Sequence, residues 1–257
     1  MSNGVLIFEG MTVGFLPGDL TISFDPTGKG ESKAILSTAY SVVPVWLRIA
    51  HDNAVQARAA SVRIAQEWSS DDARNRELLV TELECCLQVF VACGVALDAL
   101  YDQLRPFAGI TKAEIAAWRK NKTRRAKQVA EVIRRVFKLD EPAAKQFKQN
   151  LSEILKYRDM AVHPSLELKQ SCPRPDIPVG VDWKFALYRS HNSEACFSST
   201  MSMFSYLYEH PCPNEAVTTS VGNIFAALQQ LGVVTLKKSD HMSSLTSGCS
   251  GRACARR

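Results

Sequence analysis

The feature that most constrains the fold is an apolar stretch that follows Asp71 and recurs at helix period. Its large apolar residues are spaced by three, four or seven positions, which places them along one side of an α-helix. They are Leu79, Leu83, Leu87, Phe90, Leu97 and Leu104. Val91 and Val95 add a second strip, so the helix is apolar around most of its circumference. Such a helix belongs in the middle of a bundle, and the chain is therefore predicted to be mainly α, with this helix at its core.

Other segments with the same period are predicted to pack around this core helix. They cover residues 33–68, 112–138, 140–161, 193–209 and 214–231. Pro44 lies inside the first of them and is expected to split or kink it. Thr111 and Glu114 form a capping-box pattern that starts the second, and Asp140 with Pro142 starts the third. The sequence thus predicts a bundle built largely from successive helices.

The first residues of the chain follow a different pattern. Val5 to Phe24 alternate β-branched and aromatic residues between Gly and Pro, which predicts two or three short strands. A lone hairpin is only marginally stable, so it is expected to pack on the helical body or on a partner. The segment at 183–189, WKFALYR, is predicted as one further strand. These patterns divide the chain into a β-hairpin appendage at 1–30, a helical domain at 31–238 and a disordered basic tail at 239–257.

Composition and motif spacing argue against export, membrane insertion and metal binding. The sequence is 46% hydrophobic and 22% charged, and it opens without the basic region and long apolar run of a secretory signal. The most apolar run, Val89 to Leu97, is too short to span a bilayer. The eight cysteines include no CxxC pair, and the His and Cys spacings match no zinc pattern. We therefore expect a cytoplasmic protein with no membrane partner, no metal and no cofactor.

Positive charge is concentrated in one predicted helix. From Lys112 to Lys138 there are ten Lys or Arg and two Glu, a net charge of +8, while the rest of the chain sums to −3. One interpretation is a solvated helix face, which is what charge runs usually are. The other is a ridge that binds RNA phosphates. Its candidate residues are Arg119, Lys122, Arg124 and Arg125. No aromatic residue interleaves with them after Trp118, so contacts to the RNA backbone rather than base stacking are expected.

The candidate site lies in the stretch NLSEILKYRDMAVHPS, residues 150–165. It contains the only arginine in the chain that is followed five residues later by a histidine, Arg158 and His163. Phe147, Leu151 and Ile154 precede Arg158 at spacings that place all four on one helix face. A guanidinium keeps its proton in a protein, so on an apolar face it needs acceptors or an open cleft. At a helix end it can also extend its head group into water.

His163 stands before Pro164, and the residue before a proline is disfavoured in a helix, so the helix is predicted to end near Ala161. On a regular helix Arg158 and His163 would be about 140° apart. An unwound last turn would let the imidazole turn back toward the arginine. Asp159 lies four residues before His163 and is a candidate to orient the ring. A histidine oriented in this way is suited to proton transfer near neutral pH.

An arginine, a polar residue, three variable positions and then His-Pro, at the end of a helix, resembles the HEPN superfamily. The matched residues are Arg158, Asp159 and His163. The resemblance implies an up-and-down helical bundle that pairs as a homodimer and brings two Arg/His sets into one cleft. It further implies a metal-independent endoribonuclease of toxin or defence type, with RNA as substrate and room for an inhibitor or antitoxin protein as a second partner. Other members have no demonstrated catalysis, which leaves a non-catalytic binding module as the alternative.

Metal-independent RNA cleavage needs a base for the 2′-hydroxyl proton, positive charge at the phosphate and an acid for the leaving oxygen. We assign the acid/base role to His163, the phosphate contact to Arg158 and the orientation of either side chain to Asp159. Two copies that face each other across a dimer axis would complete the set. In the alternative, Arg158 and Asp159 pin the bundle, and the basic helix binds a partner protein or RNA backbone. Hydrolysis through a Ser or Cys nucleophile is not favoured, because the chain has no G-x-S-x-G elbow.

Overall fold

The computed structural model describes residues 6–7, 11–24, 26–163 and 168–234. Within these ranges the chain is mainly helical with a few short strands, which confirms the prediction of a mainly α fold with a small β element. The strands are β1 (Met11–Gly14), β2 (Leu20–Phe24), β3 (Gly30–Ala34), β4 (Ser37–Tyr40), β5 (Cys172–Pro173) and β6 (Gly180–Val181). The helices are α1 (Val43–Glu67), α2 (Asp72–Leu104), α3 (Lys112–Lys120), α4 (Arg125–Phe137), α5 (Glu141–Val162), α6 (Trp183–Leu187), α7 (Ser190–Glu209) and α8 (Glu215–Gln230). The tail predicted at 239–257 lies outside the described residues.

Helix α2 is the centre of the bundle, as its sequence predicts. Its N-terminus is capped by Asp71, whose carboxylate accepts hydrogen bonds from the backbone N–H groups of Ala73 and Arg74. Phe90 and Leu97 are among its buried residues, and α1, α4, α5 and α7 pack against it. With the turn that follows, α2 is long and apolar enough to cross a bilayer, but 56% of its most apolar window is buried inside the protein. Helix α2 therefore serves as the core helix of the bundle.

Helices α4 and α5 position the candidate site against α2. Only residues 138–140 join them, so they pack side by side with opposite directions. The apolar stripe of α5, Phe147, Leu151 and Ile154, is buried as its spacing predicts. The helix ends at Val162, one residue beyond the predicted end, and Pro164 lies outside the described residues.

The first strands form an extended two-stranded ribbon. Strand β2 pairs antiparallel with β3, and β1 pairs antiparallel with β4. The ribbon therefore reaches Tyr40, and the helix predicted from Lys33 begins only at Val43. Pro44 does not split a helix but lies in the first turn of α1, where its missing N–H would have no partner in any case.

Two further predictions of local structure are wrong. The strand predicted at 183–189 is instead the short helix α6, whose N-terminus is capped by the Asp182 carboxylate through the backbone N–H of Lys184. The single basic helix predicted at 112–138 is two helices, α3 and α4. Lys122 adopts a left-handed backbone conformation between them, with φ of 48°. The backbone N–H of Thr123 then bonds the Trp118 carbonyl at 2.8 Å, which closes α3 in the manner of a Schellman turn.

Candidate functional site

Arg158 is held by two carboxylates at the end of α5. Its Nη1 donates to Oδ2 of Asp98 on α2 at 2.6 Å, and its Nε donates to Oδ1 of Asp159 at 2.7 Å. Its side chain is only 16% exposed. Nη2 takes part in no hydrogen bond within the described part of the chain. Of the options open to a guanidinium on an apolar face, Arg158 has taken the one with acceptors.

Gly94 makes room for this arrangement. An added Cβ at position 94 would lie 2.6 Å from Cγ and 3.0 Å from Cβ of Arg158. Both distances are shorter than an ordinary van der Waals contact between carbon atoms. The arginine side chain can therefore pass over α2 only because position 94 carries no side chain. Gly94 lies four residues before Asp98, on the same helix face. A small residue and an acid one turn apart thus form the seat for Arg158.

Asp98 is shared with a second arginine. Nε of Arg125, at the start of α4, donates to Oδ1 of Asp98 at 2.7 Å. The Arg125 guanidinium also lies 3.8 Å above the ring centroid of Tyr101, close enough for a cation–π contact. We call Asp98, Arg125, Arg158 and Asp159 the Arg158 cluster. It ties α2, α4 and α5 together through alternating charges.

Arg158 keeps its positive charge in this cluster. Burial disfavours the charged form of Arg158, but the hydrogen bond and charge of Asp98, together with those of Asp159, outweigh that effect and raise the arginine's pKa above its ordinary value. The guanidinium is therefore a fixed cation at every accessible pH. It can contact a phosphate but cannot move a proton.

The backbone beside Arg158 is also fixed. The hydroxyl group of Tyr188 donates to the main-chain carbonyl of Tyr157 at 3.0 Å. Burial of Tyr188 raises the pKa of its hydroxyl to about 12, so the group keeps the proton that it donates. The rings of Tyr157 and Tyr188 both pack edge-on against Phe90 of α2.

His163 lies at the end of α5 with its side chain exposed to solvent. Its backbone N–H donates to the Asp159 carbonyl at 2.9 Å, which completes the last turn of the helix. Among the described residues, no hydrogen bond joins the imidazole to Arg158 or Asp159. Asp159 therefore orients the arginine, and the exposed histidine ring has no hydrogen-bond partner among the described residues.

The four predicted RNA-backbone residues do not form one ridge. Arg119, Lys122 and Arg124 are exposed around the turn between α3 and α4. Arg125 differs from them because it is half-buried and bound to Asp98. The break at Lys122 thus separates the basic stretch into a solvent-facing group and a member of the Arg158 cluster.

A groove of about 400 Å³ lies between α3, α4 and α5. Its lining residues include Trp118, Lys127, Glu131, Arg134, Arg135, Glu141, Lys145 and Lys148. Glu131 accepts hydrogen bonds from Arg134 and Arg135 at 2.7 to 2.9 Å. These bonds, above all the one from Arg134, lower the pKa of the Glu131 carboxyl to about 2. The groove is therefore a basic surface that continues from the solvent side of α4. Sequence spacing alone missed it because four of its ten lining residues come from α5.

A second buried ion pair lies elsewhere on α2. Arg174 and Glu82 are each 1% exposed and meet at 2.8 Å, and Glu82 also accepts the backbone N–H of Ser190 at 2.9 Å. Arg174 donates twice to Asp176 and once to the Phe185 carbonyl, so its donors are well occupied. The pair fastens the segment between α5 and α7 to the core helix. In the part of the chain described here, no three His, Cys, Asp or Glu side chains lie close enough to hold a metal ion.

The sequence identified Arg158 and Asp159 but missed Asp98, Gly94 and the pair of Glu82 with Arg174. The available signal for Asp98 was that it is the single charged residue in the stretch 85–101 of α2, since a charge on a buried helix face needs a partner. Comparison of this chain with family models, with curated proteins and with solved structures gives no match.

Proposed function

We propose that this chain acts on RNA as a metal-independent endoribonuclease of HEPN type, active as a homodimer in the cytoplasm, with a toxin or defence role. One arrangement carries the proposal. Arg158 is held rigidly with its Nη2 uncommitted among the described residues, and the exposed His163 ring follows at the end of the same helix. A fixed cation and an exposed imidazole on one helix supply the phosphate contact and one proton-transfer group for metal-independent phosphodiester cleavage, and a second copy supplies the other proton-transfer group.

In this reaction the His163 ring takes the proton of the ribose 2′-hydroxyl. The 2′-oxygen attacks phosphorus, the bond from phosphorus to the 5′-oxygen breaks, and the leaving oxygen takes a proton from the imidazole of the second copy. Arg158 contacts the phosphate oxygens through Nη2 as negative charge grows on them. Asp98 and Asp159 hold the guanidinium in place before substrate arrives, which lowers the cost of positioning it. The products are a 2′,3′-cyclic phosphate and a 5′-hydroxyl end.

A dimer is part of the proposal for an electrostatic reason as well as for the second histidine. Within one chain, the charges of Arg125 and Arg158 are offset by Asp98 and Asp159. A facing copy would add another His163 and another uncommitted Nη2 to the same cleft. Two-fold symmetry brings identical groups together in this way.

Cleavage of structured and unstructured RNA in EDTA tests the proposal. We expect the wild-type chain to produce cyclic-phosphate ends and His163→Ala to cut at least about 100-fold more slowly, because proton transfer contributes a factor of that order. His191→Ala is the matched control, since His191 is also exposed but lies at the start of α7. Equal cleavage by the wild type and His163→Ala, or no cleavage by either, would rule out the proposed chemistry.

The second candidate is a non-catalytic helical module that binds RNA backbone or a partner protein. It is favoured by the balance of charge in the Arg158 cluster, where two carboxylates already neutralise two guanidinium groups. Under this proposal Arg158 pins α5 to α2, and RNA binds through the exposed basic residues. RNA binding with a steep salt dependence and no product would favour this candidate over the nuclease.

A further inference from the structure

The groove between α3, α4 and α5 has the features of a binding site for a strand of nucleic acid. It is about 400 Å³ in volume, and five lysine or arginine side chains line it against two glutamates. Glu131 is already bonded to Arg134 and Arg135, so it does not repel a ligand as a free carboxylate would. Glu141 lies in the first turn of α5, where the partial positive charge of the helix end offsets it.

Three of the cations are available to a ligand. Lys127 on α4 and Lys145 and Lys148 on α5 form no ion pair with any described residue, whereas Arg134 and Arg135 are held by Glu131 and Glu114. Lys145 and Lys148 are three residues apart and so lie on one face of α5. They line the groove from α5, and Lys127 lines it from α4. The arginines give the groove a rigid floor, and the lysines supply mobile point charges suited to phosphates.

Trp118 gives the groove an aromatic surface. It comes from α3, the third side of the groove, and its side chain is half-buried at the lining. An indole ring in a groove whose lysines form no ion pair with a described residue allows one base to stack while its flanking phosphates are neutralised. An acidic peptide would use the lysines but has no comparable use for the ring, which favours nucleic acid as the ligand.

The groove and the Arg158 cluster lie on different sides of α4. Lys127 at the groove lining is two residues from Arg125, a rise of about 3 Å along α4 but a rotation of about 200° around it. Arg125 faces Asp98, which it shares with Arg158. The groove is therefore a surface separate from the Arg/His pair.

We infer that the groove between α3, α4 and α5 binds single-stranded RNA, with Lys127, Lys145 and Lys148 on its phosphates and Trp118 stacked on a base. This rests on the proposed action on RNA, and it assigns a substrate-holding role to residues outside the Arg/His pair. Unpaired RNA is the substrate class, because a groove with one stacking ring needs an exposed base.

The experiment measures binding without cleavage. A fluorescein-labelled oligouridylate of about 12 nucleotides, within the range of known single-strand sites, is titrated in EDTA at several salt concentrations. The protein carries His163→Ala throughout. In this background the triple change Lys127→Gln, Lys145→Gln and Lys148→Gln is expected to weaken affinity about tenfold or more and to reduce the salt slope by about 2. The matched control changes three exposed lysines elsewhere, Lys29, Lys33 and Lys169, to glutamine and removes the same net charge.

Substitution of the tryptophan separates stacking from charge. Trp118→Ala is expected to weaken binding about tenfold with an unchanged salt slope, and Trp118→Phe to restore most of the loss, because a second ring still stacks. Thermal unfolding of every variant shows whether the fold is retained. Weaker binding by Trp118→Ala with an unchanged midpoint of thermal unfolding would exclude a merely structural role for the ring.

The outcomes are distinct. Equal affinity and salt slope for the groove triple and the control triple would overturn the inference, even if the wild-type chain cleaves RNA. The inference would also be overturned if the groove triple lost binding to oligouridylate and to polyglutamate equally and Trp118→Ala had no effect. That result would favour an acidic protein partner. A groove effect in a wild-type chain that forms no product would support the inference and contradict only the nuclease.

Discussion

At the scale of single residues, the seat of Arg158 depends on the missing side chain of Gly94. Gly94→Ala is expected to lower the free energy of unfolding by about 1–3 kcal/mol, because the new methyl would press on the Arg158 stem at 2.6 Å and 3.0 Å. The clash acts against an intrinsic gain of about 1 kcal/mol for alanine over glycine inside a helix. Urea denaturation followed by circular dichroism measures the change.

Gly222→Ala is the control, because Gly222 lies within α8 and an added Cβ there meets open space. This variant should be neutral or stabilise the protein by up to about 1 kcal/mol. If both variants changed stability equally, the close approach of Arg158 to α2 would be wrong.

Individual residues also mark how far the sequence could lead. The period of α5 predicted that Arg158 would lie on a buried face, and it does so because Phe147, Leu151 and Ile154 fix the orientation of the helix. The partner could not be predicted, since Asp98 is 60 residues away and only the packing of α2 on α5 joins them. Pairing between distant charges follows from tertiary packing, which local spacing does not encode.

At the scale of elements, the buried pair of Arg174 and Glu82 holds the segment between α5 and α7 on the core helix. Arg174→Met should lower the free energy of unfolding by about 3–5 kcal/mol, because Glu82 would be left as a buried charge without its cation. Urea denaturation measures this change. Proteolysis should then cut first within residues 168–189, which the pair fastens to α2.

Arg58→Met is the matched control for this prediction. Arg58 makes two hydrogen bonds of 2.8 Å to Glu194, so the geometry of its ion pair is as good, but its side chain is 71% exposed. Solvent screens such a pair, and little change in stability is expected. A similar loss in both variants would show that burial is not what makes the Arg174 pair important.

The same scale shows why some element boundaries were not predictable. Helices α3 and α4 are each followed within two residues by a lysine with positive φ, Lys122 at 48° and Lys138 at 51°, at a position where glycine is the usual signal. Without a glycine, the basic stretch has the pattern of one long helix. For α6 the signal was present, since Asp182 is a capping residue, but the aromatic residues after it favoured a strand.

At the scale of the whole molecule, the helical body was predictable because its buried apolar residues recur at helix spacing. The ribbon was predictable only in part. All five residues of β3 and three of the four in β4 are exposed, so these strands beyond Phe24 carry no pattern of burial to reveal them. The pairing of β1 with β4 and of β2 with β3 depends on backbone hydrogen bonds instead.

Ion pairs between elements give the whole molecule a defined response to acid. Glu67 connects α1 to Arg74 of α2, and Glu114 connects α3 to Arg135 of α4. Hydrogen bonds from arginines hold the pKa of both carboxyls at about 2, compared with an ordinary value of 4.5. Below pH 4.5 the unfolded chain therefore binds more protons than the folded one, and stability falls with decreasing pH.

The midpoint of thermal unfolding should thus be nearly constant above about pH 5 and fall steadily toward pH 2. Glu67→Gln should lower the midpoint at pH 7 and reduce the difference between pH 7 and pH 3, because the variant has already lost the carboxylate that acid would neutralise. Glu84→Gln is the control, since Glu84 is exposed on α2 and forms no ion pair with a described residue. Thermal scans by circular dichroism at each pH measure the effect, and identical pH profiles for the two variants would show that the link from α1 to α2 does not contribute to acid sensitivity.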